Sequence, residues 1–460
     1  MPVRLVRCIA AAALGALIGT AAVPQTVELT PDELRQAAVA SLRGGDAATA
    51  RRYAAGLIAR DPSDLNAQLI FARAARDMGD TVPARGAARS AWRLSETDEE
   101  RYAAALITAQ ILSTEGKRTR AQLWIRRAVQ NAPNDMLRAR AGQDFSYVKQ
   151  RNPWKTDLSL TLAPNSNINN GSARDSSRLN YAISELLFGE PIEFDLGTEA
   201  QAIAGVEFGG SVRTRYRFYQ TPTTAHDAKL GLSYRSFVIT DDLGDVDVSG
   251  SDFAYGTVSL GYGFRTFNMD KKGELALDAE AGQSWYGGAR YASYARLQAQ
   301  QTLATDVRQQ LRFGAELERQ WGQATPDRDT VGLSASITHG FASGNSGFAG
   351  LYLSAAQSDD ATVEYGEVLV RTGLALAKPV MGAALQVGLG ISFRDYEFSR
   401  DDPTGRQDKR IFADVTATFK DIDYYGFNPT LTLSASATDS NVGLYDVNRL
   451  GLSIGIKSAF

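Results

Sequence analysis

The residues that most often carry out chemistry in proteins are scarce in this sequence. It has two histidines, His226 and His339, and one cysteine, Cys8, among 460 residues. A thiolate metal site needs several cysteines at set spacings, and a histidine site would need both histidines together with carboxylates. Their positions suggest neither arrangement, and His339 shares a strand face with apolar residues such as Ile337. We therefore expect no enzyme, no metal site and no cofactor.

Carboxylates form a second group of candidates. They alternate with apolar residues in two segments, so on a strand they would share the face opposite the apolar one. The acidic residues are Asp278, Glu280, Glu316 and Glu318. In a membrane barrel this face lines the lumen. The acids either make the lumen hydrated or form a structural ion-pair network with Arg312, Arg371 and Arg394. The sequence leaves both roles open.

From Trp154 onward the sequence is typical of outer-membrane strands, with alternating segments separated by turn residues. In the last segment Leu450 and Leu452 share one face, while Gly451 and Ser453 share the other. The fourteen predicted strands are 155–163, 200–219, 226–239, 252–266, 273–286, 290–305, 307–321, 328–341, 346–358, 363–378, 382–397, 406–420, 426–438 and 446–460. A soluble sandwich also alternates, but this even spacing favours an antiparallel transmembrane β-barrel over residues 153–460.

Residues 28–152 follow a helical period instead. They are rich in Ala, Arg and Leu, and Gly45-Asp46 recurs 34 residues later as Gly79-Asp80, before a third unit at Gly116. This period resembles that of tetratricopeptide repeats. Stacked repeats offer a concave face to peptides or partner proteins, whereas a helical spacer would bind nothing. The predicted fold is therefore α-helical tetratricopeptide-like repeats followed by a 14-stranded barrel.

Both ends of the chain carry signals of export. Residues 1–24 are typical of a secretory signal peptide, because Arg4 and Arg7 precede a short apolar run that small residues follow. The final Phe460 resembles the barrel assembly signal of outer-membrane proteins. The net charge of −3 does not indicate nucleic-acid binding. We expect the protein in the cell outer membrane, with its repeat domain in the periplasm.

Two motifs carry a family resemblance. One is PWKTDLSLTLAPNSNIN from Pro153, and the other combines GFNP from Gly426 with SNVGLYD from Ser440. With the order of signal peptide, repeats and barrel, they resemble the surface lipoprotein assembly modifier (Slam) family. The residues singled out are Trp154, Asn165, Ser166, Asn167, Asn169, Asn428, Pro429, Ser440, Asn441 and Tyr445. The resemblance implies an outer-membrane protein that helps selected lipoproteins, or related soluble passengers, reach the cell surface.

The topology gives these motifs a physical relation. With an even number of strands, the first and last residues of the barrel lie on the same side of the membrane, which is the periplasmic side where the repeats lie. The first strand therefore runs outward. The asparagines from Asn165 to Asn169 would then meet Ser440-Asn441 above the seam between the first and last strands. Asn and Ser side chains form hydrogen bonds with nearby backbone groups and tolerate turn conformations, so they are suited to a structured loop there. These residues either only form turns or mark a seam that can loosen, and such a seam should have few closing hydrogen bonds.

The function predicted from these features is translocation or surface display of a client protein, a surface lipoprotein or a related secreted protein. The repeats would engage the client, and the other partners would be outer-membrane lipid and the barrel assembly machinery. The alternative is an exopolysaccharide export porin with a periplasmic repeat scaffold. A row of aromatic residues along the lumen would favour that alternative.

Overall fold

The computed structural model describes residues 29–244 and 246–458; the predicted signal peptide and Phe460 lie outside the described residues. In that part of the chain seven helices precede the barrel. They are α1 (Pro31–Arg43), α2 (Ala47–Arg60), α3 (Leu65–Asp77), α4 (Thr81–Leu94), α5 (Asp98–Thr114), α6 (Arg118–Gln130) and α7 (Asp135–Arg151). None of the described helices is both long enough and apolar enough to cross a membrane.

The recurring glycines of the repeats lie in turns between helices. Gly45, Gly79 and Gly116 follow α1, α3 and α5, with φ values of 81°, 79° and 74°. Glycine adopts this left-handed conformation without a steric penalty, so it ends a helix readily. After the first turn, Asp46 caps α2 by accepting a hydrogen bond from the N–H of Thr49 at 3.0 Å. Gly45-Asp46 therefore ends one helix and caps the next, whereas Asp80, the N-cap residue of α4, makes no such side-chain hydrogen bond.

The chain divides into two compact units, one ending at Thr114 and one starting at Glu115. The first contains α1 to α5, and small alanines let its helices approach closely around Ile107 and Ile111. The second contains α6, α7 and all the strands. The tetratricopeptide-like helices and the barrel of the predicted fold are both present.

The strands follow α7 directly. First comes β1 (Trp154–Asn165), and then residues 166–204, which hold β2 (Ser176–Arg178), α8 (Tyr181–Phe188) and β3 (Glu193–Asp195). The remaining strands are β4 (Gly205–Gln220), β5 (Thr224–Ile239), β6 (Tyr255–Asn268), β7 (Gly273–Tyr286), β8 (Ala289–Asp306), β9 (Gln309–Gly322), β10 (Arg328–Gly340), β11 (Ser346–Gln357), β12 (Tyr365–Ala375), β13 (Ala384–Tyr396), β14 (Arg406–Thr418), β15 (Phe427–Ser440) and β16 (Val447–Ser458).

All strands except β2 and β3 form one closed antiparallel barrel in chain order, with β16 returning to β1. The prediction of a 14-stranded barrel is confirmed, because each predicted segment overlaps one of these strands. The end of the barrel where α7 enters β1 is called the helix end below. The opposite end carries residues 166–204 and is called the loop end.

Ion pairs that skip a strand identify the inner face of the barrel. Lys229 on β5 contacts Asp278 on β7, across Gly263 of the intervening β6. Arg371 on β12 likewise bonds Asp414 on β14 at 2.7 Å, across the glycines of β13. Side chains two strands apart can meet in this way only on a concave surface. The polar residues therefore line the interior, and the apolar residues that alternate with them cover the outside.

Inward aromatic rings also lie on glycines. The pairs are Tyr294 on Gly282, Tyr352 on Gly332, Phe348 on Gly373 and Phe412 on Gly390, each with the glycine on a neighbouring strand. A ring that covers a glycine protects the backbone there and fills the missing side-chain volume. These aromatic rings are therefore part of the wall.

This packing predicts the effect of enlarging one glycine. The change Gly390→Ala should destabilise the barrel by about 1–3 kcal/mol, because the new Cβ would collide with the Phe412 ring. Gly366→Ala is the matched control, since nothing lies within 4 Å of its added Cβ. The measurement is the temperature at which the barrel loses its compact migration in detergent gels. Adding Phe412→Leu should restore stability, and equal stability of the two single variants would contradict the packing.

Candidate functional site at the barrel seam

The barrel closes between β1 and β16, and this closure, called the seam, is much shorter than the other strand pairings. On one side β1 pairs with β4 at every position from Trp154 to Asn165. On the other side, among the described residues, its only ladder partners in β16 join Leu162 to Ile454 and Asn165 to Gly451. Every other pair of neighbouring barrel strands forms a ladder of ten or more partners. The seam is the least paired part of the wall.

Pro164 removes a hydrogen bond from the seam. The backbone groups of successive residues in a strand point to opposite neighbours. The N–H of Ser166 donates to the carbonyl of Leu450 at 3.0 Å, whereas the carbonyl of Pro153 accepts from Arg217 of β4 at 2.8 Å. Even-numbered residues of β1 therefore face β16, and Pro164 is one of them. Because proline has no N–H, β1 lacks a donor in the middle of its short paired stretch.

Toward the helix end the ladder between the two strands stops, although β16 still lies beside β1: a Cβ added to Gly455 would be 4.0 Å from the carbonyl oxygen of Leu160. The register that joins Leu162 to Ile454 would place Leu160 beside Ile456, yet neither this pair nor any described pair nearer the helix end belongs to the ladder. The side chains of Leu158 and Leu160 lie on the outer face and are 55% and 58% exposed. Their backbone N–H and C=O groups point toward β16. This part of β1 lies beside β16 without ladder pairing.

At the loop end, side chains hold the seam together. Asn167 is fully buried, and its amide donates to the carbonyls of Gly171 at 2.8 Å and of Asn448 at 3.2 Å. Arg449 of β16 donates from Nε to the carbonyl of Asn167 at 3.0 Å and also bonds the side chain of Asn170. The segment after β1 is thereby tied to β16.

The loop between β15 and β16 joins the same network. Asp446 accepts hydrogen bonds from the side chain of Arg174 and from the N–H of Ser440, the latter at 2.6 Å. Ser172 donates from Oγ to the carbonyl of Gly443 at 2.7 Å. The structure thus brings both Ser-Asn motifs to the loop end of the seam. The clasp is defined as Asn167, Ser172, Arg174, Asp446 and Arg449.

Two further predicted loop residues shape the first turn. Asn165 accepts a hydrogen bond from the N–H of Asn167 at 3.0 Å. Asn169 donates to the carbonyl of Gln201 at 2.7 Å, across the segment between β1 and β4. Ser166 adds a bond across the seam, because its Oγ accepts from the N–H of Leu450 at 2.8 Å. These contacts fix the backbone that presents the clasp.

The corresponding residues of the last hairpin bind β14. Ser440 donates from Oγ to Asp408 at 2.8 Å. Asn441 accepts from the N–H of Gln407 at 2.7 Å. The ring of Tyr445 lies 3.8 Å from the guanidinium carbon of a β14 arginine, Arg406. This hairpin is therefore held by its neighbours on both sides.

The remaining motif residues lie at the helix end, far along the strands from the clasp. Trp154 begins β1, and its ring centre lies 4.6 Å from that of Tyr216 on β4. Asn428 is buried and donates to the carbonyl of Ile422 at 3.0 Å, with Pro429 next in β15. The structure does not bring these three residues together with the asparagines of the loop end.

A family model covers the part of the chain that contains this seam. The model, described as surface lipoprotein assembly modifier, matches residues 154–460. The chain belongs to the surface lipoprotein assembly modifier family. No curated protein matches it at a significant level.

Solved structures match parts of this family member at low identity. The chaperone SycD of Yersinia enterocolitica, in complex with a peptide of the translocator YopD, is 17% identical with a TM-score of 0.24, and the match covers 28% of this chain and 98% of that chain. A bacterial polysaccharide outer membrane secretin is 8% identical with a TM-score of 0.34, covering 66% and 98%. A BenF-like porin from Pseudomonas fluorescens Pf-5 is 11% identical with a TM-score of 0.33, covering 66% and 98%.

The helix end of this family member has a contact that the sequence did not reveal. Arg126 of α6 donates to the carbonyls of Tyr425 at 3.0 Å and Gly426 at 2.7 Å, and its guanidinium carbon lies 4.1 Å from the ring centre of Phe427. Tyr425 has a φ of 52°, which is uncommon outside glycine. Gln130 also accepts from its N–H at 3.0 Å. Burial lowers the pKa of Arg126 from its ordinary value. Helix α6 is thus hydrogen-bonded to the turn before β15.

The four predicted lumen acids lie on the inner face, and each has a polar partner. Asp278 contacts Lys229, Glu280 accepts from Tyr294 at 2.9 Å, Glu316 accepts from Gln298, and Glu318 accepts from Arg296 at 2.7 Å. Of the predicted arginines, Arg371 pairs with Asp414 and Arg394 with Glu367, while Arg312 donates to the side chain of Gln310 at 2.7 Å. The acids therefore link strands of the wall, with partners that differ from those expected.

Three features of the described residues concern the groups that could carry out chemistry. Gly451-Leu-Ser-Ile-Gly455 has the spacing of a nucleophile elbow, but it lies within the straight strand β16 and not at a strand-to-helix turn. The Nδ1 of His226 lies 2.6 Å from the hydroxyl of Tyr262. No group of three or more His, Cys, Asp or Glu side chains in the described ranges could hold a metal ion.

The missing ladder at Leu160 predicts slow crosslinking across this part of the seam. A Leu160→Cys, Ile456→Cys pair should form a disulfide roughly tenfold or more slowly than a Val370→Cys, Ile391→Cys pair, because no ladder holds the two cysteines in disulfide geometry. Both pairs join outer-face residues of neighbouring strands, and the control lies within a continuous ladder. The measurement is the rate of disulfide formation under mild oxidant, and equal rates would show that the seam is held there as firmly as an ordinary ladder.

A second variant tests the role of Pro164 in the same assay. The change Pro164→Ala restores a seam-facing donor, and one hydrogen bond contributes about 0.5–1.5 kcal/mol net. Adding it to the Leu160→Cys, Ile456→Cys pair should speed disulfide formation by up to about tenfold. An unchanged rate would mean that proline does not limit the pairing.

Proposed function

We propose that this protein promotes the translocation or surface display of a client protein, a surface lipoprotein or a related secreted protein. Membership of the surface lipoprotein assembly modifier family is the observation that carries the proposal. The seam supports a specific route, because a junction with two ladder positions opens more readily than one with ten or more. No covalent step is required, and recognition is by surface contact.

The orientation of the barrel follows from its loops. Outer-membrane barrels have short turns on the periplasmic side and longer loops outside. Both ends have a two-residue turn, 307–308 at the helix end and 287–288 at the loop end, but the longest connections, 166–204 and 240–254, lie at the loop end, and no helix-end connection is longer than 376–383 or 419–426. We therefore assign the helix end and α1 to α7 to the periplasm, and the clasp to the cell exterior.

In this arrangement the helices receive the client before it reaches the barrel. Stacked helix pairs present broad surfaces to extended polypeptides, which suits this role. The contact between Arg126 and the turn before β15 fixes α6 to the periplasmic end of the wall. The outer wall lies in lipid, and the barrel assembly machinery would insert it.

The first test concerns the substrate class. Deleting the gene in the bacterium that encodes this protein should leave at least one lipoprotein at normal total amount but protected from protease added outside the cells. The measurement is surface proteolysis followed by mass spectrometry of acyl-labelled lipoproteins, with the full chain restored as the control. If lipoprotein exposure is unchanged and a surface polysaccharide disappears, polysaccharide export replaces this proposal. If both are unchanged, the proposal is wrong.

The second test locks the seam. A Leu162→Cys, Ile454→Cys disulfide joins the two strands at an existing ladder position, so oxidation should abolish display of the lipoprotein found above and reductant should restore it. The Val370→Cys, Ile391→Cys pair locks an ordinary ladder and should leave display intact when oxidised. Full display by the oxidised seam variant would show that the seam does not open during export.

A further inference from the structure

We propose that the helix end of the barrel binds the headgroups of anionic phospholipids, through the exposed face of α7 and the turns between the strands. The inference rests on the proposed function for the orientation of the barrel, and it adds a lipid partner in the periplasmic leaflet. The surface is called the basic rim, and its basic residues are Arg140, Arg151, Lys271, Arg308, Lys378 and Lys420.

The two ends of the barrel carry opposite charge. Helices α6 and α7 contain eight basic and two acidic residues. The two longest connections at the loop end, 166–204 and 240–254, contain two basic and eleven acidic residues. An anionic membrane surface attracts basic groups that lie close to it and repels acidic ones. Of the two ends, only the helix end has the charge that anionic phospholipid requires.

Four of the six turns at the helix end carry an exposed apolar side chain close to an exposed basic one. The pairs are Met269 with Lys271, Val307 with Arg308, Met381 with Lys378 and Ile422 with Lys420. Val307 and Met381 are each 97% exposed. The same turns hold three acids, Asp270, Asp421 and Asp423, yet no carboxylate of the described residues is ion-paired with the four basic side chains. At a bilayer surface the apolar tip enters the hydrocarbon while the basic group reaches the phosphates.

The exposed face of α7 has the same combination of side chains. Arg140, Tyr147 and Arg151 share one side of the helix, because they are seven and four residues apart. The opposite side buries Ala141 and Phe145. Tyr147 is 56% exposed, and the guanidinium carbon of Arg151 lies 3.7 Å from its ring centre. Aromatic and basic side chains together are typical of a helix face at a membrane interface.

Two contacts hold α7 along the end of the barrel. The guanidinium carbon of Arg126 lies 4.8 Å from the ring centre of Phe145, and Arg126 also donates to the carbonyl of Gly426, just before β15. Further along, α7 ends at Arg151, next to the start of β1. Only β16 separates β15 from β1 in the barrel. Tyr147 lies between these two points, so this part of α7 lies at the level where the strands leave the lipid.

Anionic phospholipid fits the basic rim better than an acidic protein does. The four turns join β6 to β7, β8 to β9, β12 to β13 and β14 to β15, so they are spread around the barrel. A leaflet surrounds the barrel and reaches all of them, and it also covers their apolar tips. Arginine binds phosphate oxygens through paired N–H groups, and lysine binds them as a point charge. The headgroup phosphate is therefore the expected ligand.

Photocrosslinking to lipid tests the basic rim directly. The full chain is placed in phosphatidylcholine vesicles that contain a small share of photoactivatable phosphatidylglycerol, and photoactivatable phosphatidylcholine is the neutral probe. Mass spectrometry of the peptides gives the yield of adducts at each segment. Phosphatidylglycerol adducts on α7 and the four turns should exceed phosphatidylcholine adducts about fivefold or more, because each basic group near an anionic surface adds attraction. Added salt should reduce this preference.

Paired variants test the charge of α7. Arg140→Gln with Arg151→Gln should lower the phosphatidylglycerol adducts on α7 about fivefold or more and leave the phosphatidylcholine adducts unchanged. Arg140→Lys with Arg151→Lys keeps the charge and should retain most of the preference. The matched control, Arg178→Gln with Arg400→Gln, removes the same charge from exposed positions at the loop end and should leave α7 unaffected.

Three results would overturn the inference. Equal yields for the two lipids would mean that the basic rim does not select anionic headgroups, which leaves an acidic protein as the partner of these charges. A phosphatidylglycerol preference confined to residues 166–204 would place the lipid site at the loop end. Equal effects of the glutamine pair and the control pair would mean that α7 does not bind the headgroups. Compact migration in detergent gels, measured on each variant, confirms that the barrel is folded.

The vesicle assay involves no export, and the surface-proteolysis assay involves no added lipid, so the two proposals can fail separately. If lipoprotein display depends on the protein but the crosslinking shows no lipid preference, only the inference about the basic rim is wrong. If the rim selects phosphatidylglycerol but no lipoprotein changes, the proposed function is wrong and the lipid site remains.

Discussion

The structure depends on one constraint, which is that backbone N–H and C=O groups at membrane depth need partners within the protein. Thirteen of the fourteen strand junctions meet it with continuous ladders, and the junction between β1 and β16 meets it over a short stretch only. Closing the sheet leaves one place where the requirement is only partly satisfied. The features that are unusual in this barrel, including Pro164 and the clasp, lie at that place.

The interior shows how the remaining wall achieves its stability. Glycines let side chains from alternate strands meet, as Lys229 and Asp278 do across Gly263. Other glycines accept aromatic rings, as Gly390 accepts Phe412. Both arrangements connect neighbouring or next-neighbouring strands on the inner face. Such connections are dense along the wall, so the junction between β1 and β16 is the place where the proposed opening would meet the fewest bonds.

Much of this fold could be predicted from the sequence, because alternation has a short period and needs no tertiary information. The fourteen strands and the helical half follow from that periodicity alone. The seam could be located, since its asparagines flank the first and last strands, but its incomplete pairing could not be derived. Pairing depends on register between residues nearly 300 positions apart, as between Leu162 and Ile454. The roles of Arg126 and Arg449 were missed for the same reason. Each arginine contacts residues nearly 300 positions away, and the local sequence pattern does not show such contacts.

The two ends of the seam differ in the kind of bond that holds them, and this difference sets the order in which they separate. A ladder in lipid opens one residue at a time, and each step exposes backbone groups to hydrocarbon. Side-chain bonds such as those of Asn167 and Arg449 lie at the loop end and do not require the strands themselves to be paired. A force applied from the helix end would therefore meet the Leu162–Ile454 pair first, then the Asn165–Gly451 pair, and the clasp last. Under the proposed route, the barrel would widen toward the periplasm while its outer rim stays joined.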